Sequence, residues 1–230
     1  MARRVIDLSQ PLGRETQLHP FFPSVQILRQ IVHSDAAPGK PSFSAEVIVT
    51  SNHAATHVDS FAHYDASPNA PRIAEMPLET FCGEAVCVDV REYPPGHGVT
   101  ADELERALAA GGLQVQEGDI VCFCTDHYSR TAGTPAFLDG FSGIDVSAVH
   151  WMADRGVKIF GVETISPDLV YLTDEYPVHR ACAERRLTHY ENLHNLKEVV
   201  NRRFEFYGFP LRLHPPAAGS PVRAVAIVED

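Results

Sequence analysis

No apolar run in this chain of 230 residues approaches the roughly 18 residues that a membrane-crossing helix needs. The chain is short of cations. It has 19 Lys and Arg against 30 Asp and Glu, a net charge of −11, and no basic run or basic amphipathic stretch. That balance gives no electrostatic reason to bind nucleic acid or an anionic membrane surface. Cysteine is sparse and odd in number, at 82, 87, 122, 124 and 182, with no CxxC pair. There is thus no disulfide framework to read, and reduced, buried thiols are expected. The start, Met1–Asp7, holds Arg3 and Arg4 but no apolar stretch. It reads as mature cytoplasmic sequence without a signal peptide. Internal repeats and low-complexity linkers are also missing.

What is present is an ordinary globular composition, 44% hydrophobic and 21% charged, which excludes long disorder, collagen and coiled coil. At about 150 residues per domain, one domain spanning 1–230 is expected, large enough to bury about 70% of its unfolded surface without staples. Segments rich in Val, Ile and Phe read as strands: Val25–Val32, Phe43–Val49, Ala85–Val90, Ile120–Cys124, Lys158–Val162, Phe204–Phe209 and Val222–Val228. Thr100 and Glu103 have capping-box spacing before the run Leu104–Ala110, which Gly111 and Gly112 end. Asp145 can cap a helix that carries Trp151 into the core and stops at Gly156. A third helix is expected over Val178–Arg186. The expected fold class is α/β, with a substantial mixed β core and flanking helices.

Histidine is the abundant oddity, 12 residues, three of them within His53–His63 together with Asp59. The spacing is H-x3-H-x-D-x3-H. Two imidazoles and a carboxylate suit a borderline divalent ion such as zinc or manganese, with ligand atoms converging to about 2.0–2.2 Å from it. In an extended strand His53 and His57 lie about 13 Å apart, too far for one ion. In a helix they share a face, but Asp59 points about 200° away from His57. The segment therefore turns, with a strand ending near Thr50 and an irregular stretch carrying His53, His57 and Asp59. His63 lies beyond the Asp, placed to face the ion without binding it. Downstream, His179 and Glu191 are 12 residues apart, about 120° off one helical face. If both are ligands, the helix ends near Leu187 and Glu191 comes from a returning strand or loop. By composition alone His189 and His194 compete equally with them.

The segment His53…His57-Val58-Asp59…His63 resembles the H-x-G-T-H-x-D-x-P-x-H motif of the cyclase-like metal-dependent hydrolases, which include bacterial kynurenine formamidases, isatin hydrolases and trans-dienelactone hydrolases. The likeness covers nearly the whole chain in order. Val5–Leu12 looks like the family's opening strand and turn, and Phe160–Asp168 looks like its G-x-D-T-x-S-x-D segment. His179 with Tyr190–Leu196 looks like its late H…E-N-L-x-N-L segment, and Pro221–Arg223 like its closing strand. Ala55 stands where the motif has Gly, Ser60 where Ala is usual, and Phe61 where it has Pro.

The resemblance implies a single cyclase-like domain (swivelling β/β/α). It also implies a metal centre in which His53, His57 and Asp59 hold one ion. Asp59 bridges to a second held by His179 and Glu191, although some relatives carry one ion only. His63 would be the general acid/base in attack by an activated water on an amide, lactam or lactone of a small, aromatic or cyclic substrate. An arylformamidase acting on N-formylkynurenine stays open, and so does a hydrolase of cyclic amides or lactones. Outside that class stand a non-hydrolytic polyketide cyclase and a catalytically silent metal-binding protein, and the retained His63 argues against the silent one. Phe21 and Phe22 are candidates to line the substrate pocket, as are Phe61 and, after the strand Ile120–Cys124, His127 and Tyr128. A homodimer or homotetramer is implied, with about residues 1–42 contributing to the interface.

Overall fold

The computed structural model describes residues 2–169 and 175–229. Its centre is a nine-stranded mixed sheet in the order β1-β13-β11-β5-β7-β9-β10-β4-β12. Those strands are β1 (Arg3–Asp7), β4 (His57–Asp59), β5 (Cys82–Asp89), β7 (Ile120–Cys124), β9 (Ile159–Val162), β10 (Thr188–Glu191), β11 (Arg203–Tyr207), β12 (Gly219–Pro221) and β13 (Val225–Glu229). The middle of the sheet, β5-β7-β9-β10, is parallel, and both flanks are antiparallel. Parallel strands are covered on both faces and so read as unbroken apolar runs. Ile-Val-Cys-Phe-Cys in β7 is buried throughout. Alternation sends Ile120, Cys122 and Cys124 into one core layer with Val58, Phe81 and Tyr190. It sends Val121 and Phe123 into the other, with Leu104, Val149, Met152 and Leu187.

The helices pack on these layers: α1 (Ala101–Ala110), α2 (His127–Thr131), α3 (Ala136–Asp139), α4 (Val146–Asp154) and α5 (Pro177–Arg185). The expected capping box is formed, with Glu103 N–H donating to Thr100 Oγ1 at 3.4 Å and Thr100 N–H to Glu103 Oε2 at 2.9 Å. Asp145 caps α4 by accepting from Ser147 N–H at 2.8 Å. Two-residue strands β6 (Gly98–Val99) and β8 (Gly143–Ile144) pair beside them.

The strands expected near Val25–Val32 and Phe43–Val49 form a separate ribbon, β2 (Gln26–Ile31) against β3 (Ala45–Val49). Leu28, Val47, Ile48 and Val49 on it are exposed. The spacing of His53, His57 and Asp59 predicts irregular backbone after Thr50. In the structure His53 does sit in a turn, whereas His57 and Asp59 occupy the short strand β4.

Between β3 and β4 the chain reverses through Ala55, whose φ is +51°. An L-residue there costs about 1–2 kcal/mol relative to right-handed backbone, a cost glycine escapes. Ala55→Gly is expected to raise the melting temperature by about 2–4 °C per kcal/mol relieved, net of glycine's greater unfolded-state entropy. Calorimetry on the two proteins decides it, and an unchanged or lower midpoint would show that the turn is not strained.

Candidate metal centre

Strands β4 and β10 are antiparallel neighbours, with His57 opposite Glu191 and Val58 opposite Tyr190. Period-2 alternation sends Val58 and Tyr190 into the core and leaves His57, Asp59, His189 and Glu191 together on the other face. On the far side β12 pairs Gly219 with Asp59. A Cβ on Gly219 would stand 2.7 Å from the His53 ring, so glycine there admits the imidazole. His53 arrives from the turn, His179 from α5, and His63 from the 3-10 turn Phe61–His63.

Asp59 is the hub. Its Oδ1 lies 2.8 Å from His53 Nδ1 and 3.5 Å from His57 Nε2. Its Oδ2 lies 3.5 Å from His189 Nε2, 3.6 Å from His63 Nε2 and 3.7 Å from His179 Nε2. Glu191 faces His57 at 3.2 Å, His189 at 3.3 Å and His179 at 3.6 Å. Two groups emerge that share Asp59: His53, His57 and Asp59, and Asp59, His179, His189 and Glu191. His57 Nε2 and both Asp59 oxygens are buried without a hydrogen-bond partner. Two ligand atoms each about 2.1 Å from a tetrahedral ion lie roughly 3.4 Å apart. Apart from the 2.8 Å contact of His53 with Asp59, the imidazole–carboxylate separations of 3.2–3.7 Å and the unpartnered atoms fit divalent cations better than a hydrogen-bonded cluster.

The free ring nitrogens are aimed by partners behind them. His57 Nδ1–H donates to the Ala55 carbonyl at 2.8 Å, and His179 Nδ1–H to Asp168 Oδ2 at 2.6 Å. Asp168 also accepts the Val178 and His179 backbone N–H groups, fixing the first turn of α5. Such outer partners set tautomer and orientation in metal-binding histidines.

Charge in the cluster follows from burial opposed by neighbours. Burial works against the Asp59 carboxylate, but the His63, His53 and His179 imidazoles beside it hold its pKa well below the ordinary range. Burial likewise opposes ionised Glu191, and the adjoining His189 and His57 imidazoles bring its pKa down to about 2. His179 is desolvated too, yet Asp168 and Asp59 raise it to about 9. His63 goes the other way. Its burial, with the His53 and His179 charges, outweighs Asp59 and lowers it to about 4.

Above the centre opens a pocket of about 110 Å³. Phe21 and Phe22 both line it, as does His63. Phe22 stacks on His53 with ring centroids 6.0 Å apart. Phe61 does not reach this pocket. It lies under the Arg186 guanidinium at 4.7 Å and borders a smaller cavity of about 20 Å³ behind Asp59. The structure does not bring His127 or Tyr128 to the pocket either. His127 is buried against Phe137 and Phe141 and donates to the Phe137 carbonyl, and Tyr128 packs on His194. Both belong to α2, which turns away from the end of β7.

His189 was only a competitor on composition, yet it joins the second group. Its signal lay in Thr-His-Tyr-Glu, where a strand puts His189 and Glu191 on one face. Glu163 was also passed over. Its Oε2 accepts from Thr125 and Asp126 N–H, and its Oε1 from Leu196 N–H, so it ties the end of β7 to the loop following Glu191. Burial raises its pKa to about 7 against those three donors. The folded state then keeps a proton from about pH 4.5 to 7 that the unfolded state has lost, so this group weakens stability as pH rises through that window. Glu163→Gln is expected to remove that slope while lowering stability overall, read by urea unfolding at pH 5 and pH 7.5. An unchanged slope would place the titration elsewhere.

Residues 6–169 match the Cyclase family model, described as "Putative cyclase". The kynurenine formamidase of Salinibacter ruber is 30% identical over 221 residues, 96% of each chain. That of Bordetella petrii is 29% identical over 223 residues, 97% of each. Isatin hydrolase A from Ralstonia solanacearum superposes with a TM-score of 0.84 at 30% identity, covering 99% of this chain and 92% of that one. An isatin hydrolase bound to the product analogue thioisatinate superposes with a TM-score of 0.85 at 22% identity, over 99% of this chain and 93% of that one. At that identity the second likeness speaks for the fold alone.

Proposed function

The chain belongs to the Cyclase family, and from that membership we propose that it is a metal-dependent hydrolase cleaving an amide C–N bond of a small substrate at the Asp59 centre. The observation that carries this reading is the pair of buried carboxylates, Asp59 and Glu191, ringed by imidazole nitrogens at 2.8–3.7 Å beneath an aromatic pocket. When bound, a divalent ion lowers the pKa of a water toward about 7 and polarises the scissile carbonyl. His53, His57 and Asp59 would hold one ion, and Asp59, His179, His189 and Glu191 a second. The sharing of Asp59 supports two per subunit. Nitrogen and carboxylate donors without thiolate suit zinc or manganese. His63 borders both the centre and the pocket and is the group to move the proton. Phe21 and Phe22 would cover the substrate.

A homodimer or homotetramer belongs to the same reading. A two-stranded ribbon is marginal alone in water, and the exposed Leu28, Val47, Ile48 and Val49 on β2–β3 support its burial against a second copy. A cytoplasmic location is supported by five free cysteines. Among the described residues no helix is long and apolar enough to cross a membrane.

Elemental analysis of gently purified protein tests the centre. One or two equivalents of zinc or manganese are expected, with hydrolysis of N-formylkynurenine or isatin lost on chelation and restored by the metal. Failure to take up either ion would overturn the reading.

A further inference from the structure

The pocket wall carries a second message, about charge. Beside the residues of the centre it presents Leu18, Phe22, Tyr64, Ile165 and Tyr176. Among the described residues no Lys or Arg lines it. The five residues 170–174 are Val, Tyr, Leu, Thr and Asp, so they add no cation to the chain there. The arginines of flanking segments are committed elsewhere. Arg14 donates to the Ile27 carbonyl, Arg130 to the Thr125 carbonyl, and Arg186 lies over Phe61 beside Asp65. Arg180, next to His179 in sequence, is exposed and off the wall.

The polar groups on the wall away from the centre are the Gln17 and Asn192 amides, the Ser166, Tyr64 and Tyr176 hydroxyls and the His19 imidazole, none of them a permanent cation. Gln17 is used up in clamping the pocket's roof to the loop between α2 and α3. Its Oε1 accepts from Gly133 N–H and its Nε2 donates to the Thr134 carbonyl. Asn192 follows Glu191 with a φ of +55°, and its side-chain oxygen is buried without a partner. A non-glycine residue held there is a strained feature of the kind that clusters at ligand sites. Beneath the wall, Asp59, Glu191 and Asp168 place three carboxylates around the centre. One divalent ion leaves their sum negative, and two make it only singly positive.

We infer that this centre serves substrates whose non-reacting part is an uncharged aromatic ring, and that it discriminates against the same amide when the ring carries a carboxylate. A carboxylate enters such a pocket only by giving up water, and no lysine or arginine on the described wall replaces it. A ring finds aromatic faces at Phe22, Tyr64 and Tyr176, which favour offset or edge contacts. The inference rests on the amide-hydrolase reading above and narrows its substrate.

Three aryl formamides with one scissile bond test it on the metal-loaded protein at pH 8, where an ordinary imidazole is neutral. They are formanilide, 4-formamidobenzoate, and the methyl ester of the latter, which matches its size without the charge. Each kcat/KM is normalised to the rate of the compound in hydroxide alone, which removes the electronic effect of the substituent. Formanilide and the ester are expected within a few-fold of each other, and the carboxylate at least tenfold lower, the difference lying in KM. A carboxylate hydrolysed as well as its ester would overturn the inference and leave the hydrolase reading standing. If none of the three is hydrolysed by protein with metal bound, it is the reading as an aryl-amide hydrolase that falls. Calorimetric titration of the same compounds then still compares affinities. Tighter binding of the ester keeps the charge preference, and equal or tighter binding of the carboxylate overturns it.

Discussion

Asp59→Asn is expected to abolish metal uptake and turnover together while leaving the fold intact. One carboxylate faces five imidazoles, and both candidate ligand groups include it. Losing an outer-shell partner of a metal ligand costs about 10–100-fold in affinity or activity. Losing the shared ligand should cost more. Asparagine keeps the volume, and the strand pairing of β4 is carried by backbone, with the Asp59 carbonyl still accepting from Thr188 Oγ1. What disappears is a buried charge whose removal leaves cations without compensation, a deficit of about 3–5 kcal/mol for an interior pair. Elemental analysis after dialysis reads the metal, circular dichroism reads the fold, and turnover is measured on the same sample. Retention of bound metal with near wild-type turnover would remove Asp59 from the centre.

The spacing of His53, His57 and Asp59 was legible because neither a strand nor a helix can converge all three, which forced a turn. The structure supplies it at Ala55. The three-residue strand after it was not legible, since His-Val-Asp has no alternating run long enough to mark a strand. Its place between β10 and β12 depends on pairing with residues more than 100 positions away. His179 and Glu191 looked weak for the same reason, their 12-residue separation concealing a helix followed by a strand. Helix caps were legible because they are local, as Thr100 and Asp145 show. His127 and Tyr128 misled because the end of a parallel strand is a common place for a site. Here α2 folds back into a small satellite core with Phe137 and Phe141. The charge of the pocket wall was beyond sequence reading altogether, because Leu18, Tyr64 and Ile165 meet only in three dimensions.

His63→Ala is expected to lower kcat by about 10²–10⁴-fold, the usual contribution of a positioned acid/base, without loss of metal. His63 lies in neither ligand group found among the described residues, yet its Nε2 is 3.6 Å from Asp59 and its ring lines the substrate pocket. The ring is held in place from both sides, 4.2 Å from the His53 centroid and 4.8 Å from that of Tyr64. With its pKa lowered to about 4 it is neutral at pH 7. In the proposed hydrolysis it would take a proton from the attacking water and pass it to the leaving nitrogen. Only the neutral ring can accept, so rate falls as pH drops through that pKa. The His63-dependent limb of kcat/KM is expected near pH 4 rather than near 6.5, the ordinary histidine value. The alanine variant should lack this limb over the pH range in which it stays folded, and added imidazole should restore part of its turnover. A merely structural histidine would lower stability instead, leaving the pH profile of the surviving activity unchanged and unmoved by imidazole. Full turnover in the variant with metal bound would assign the proton transfer to another group.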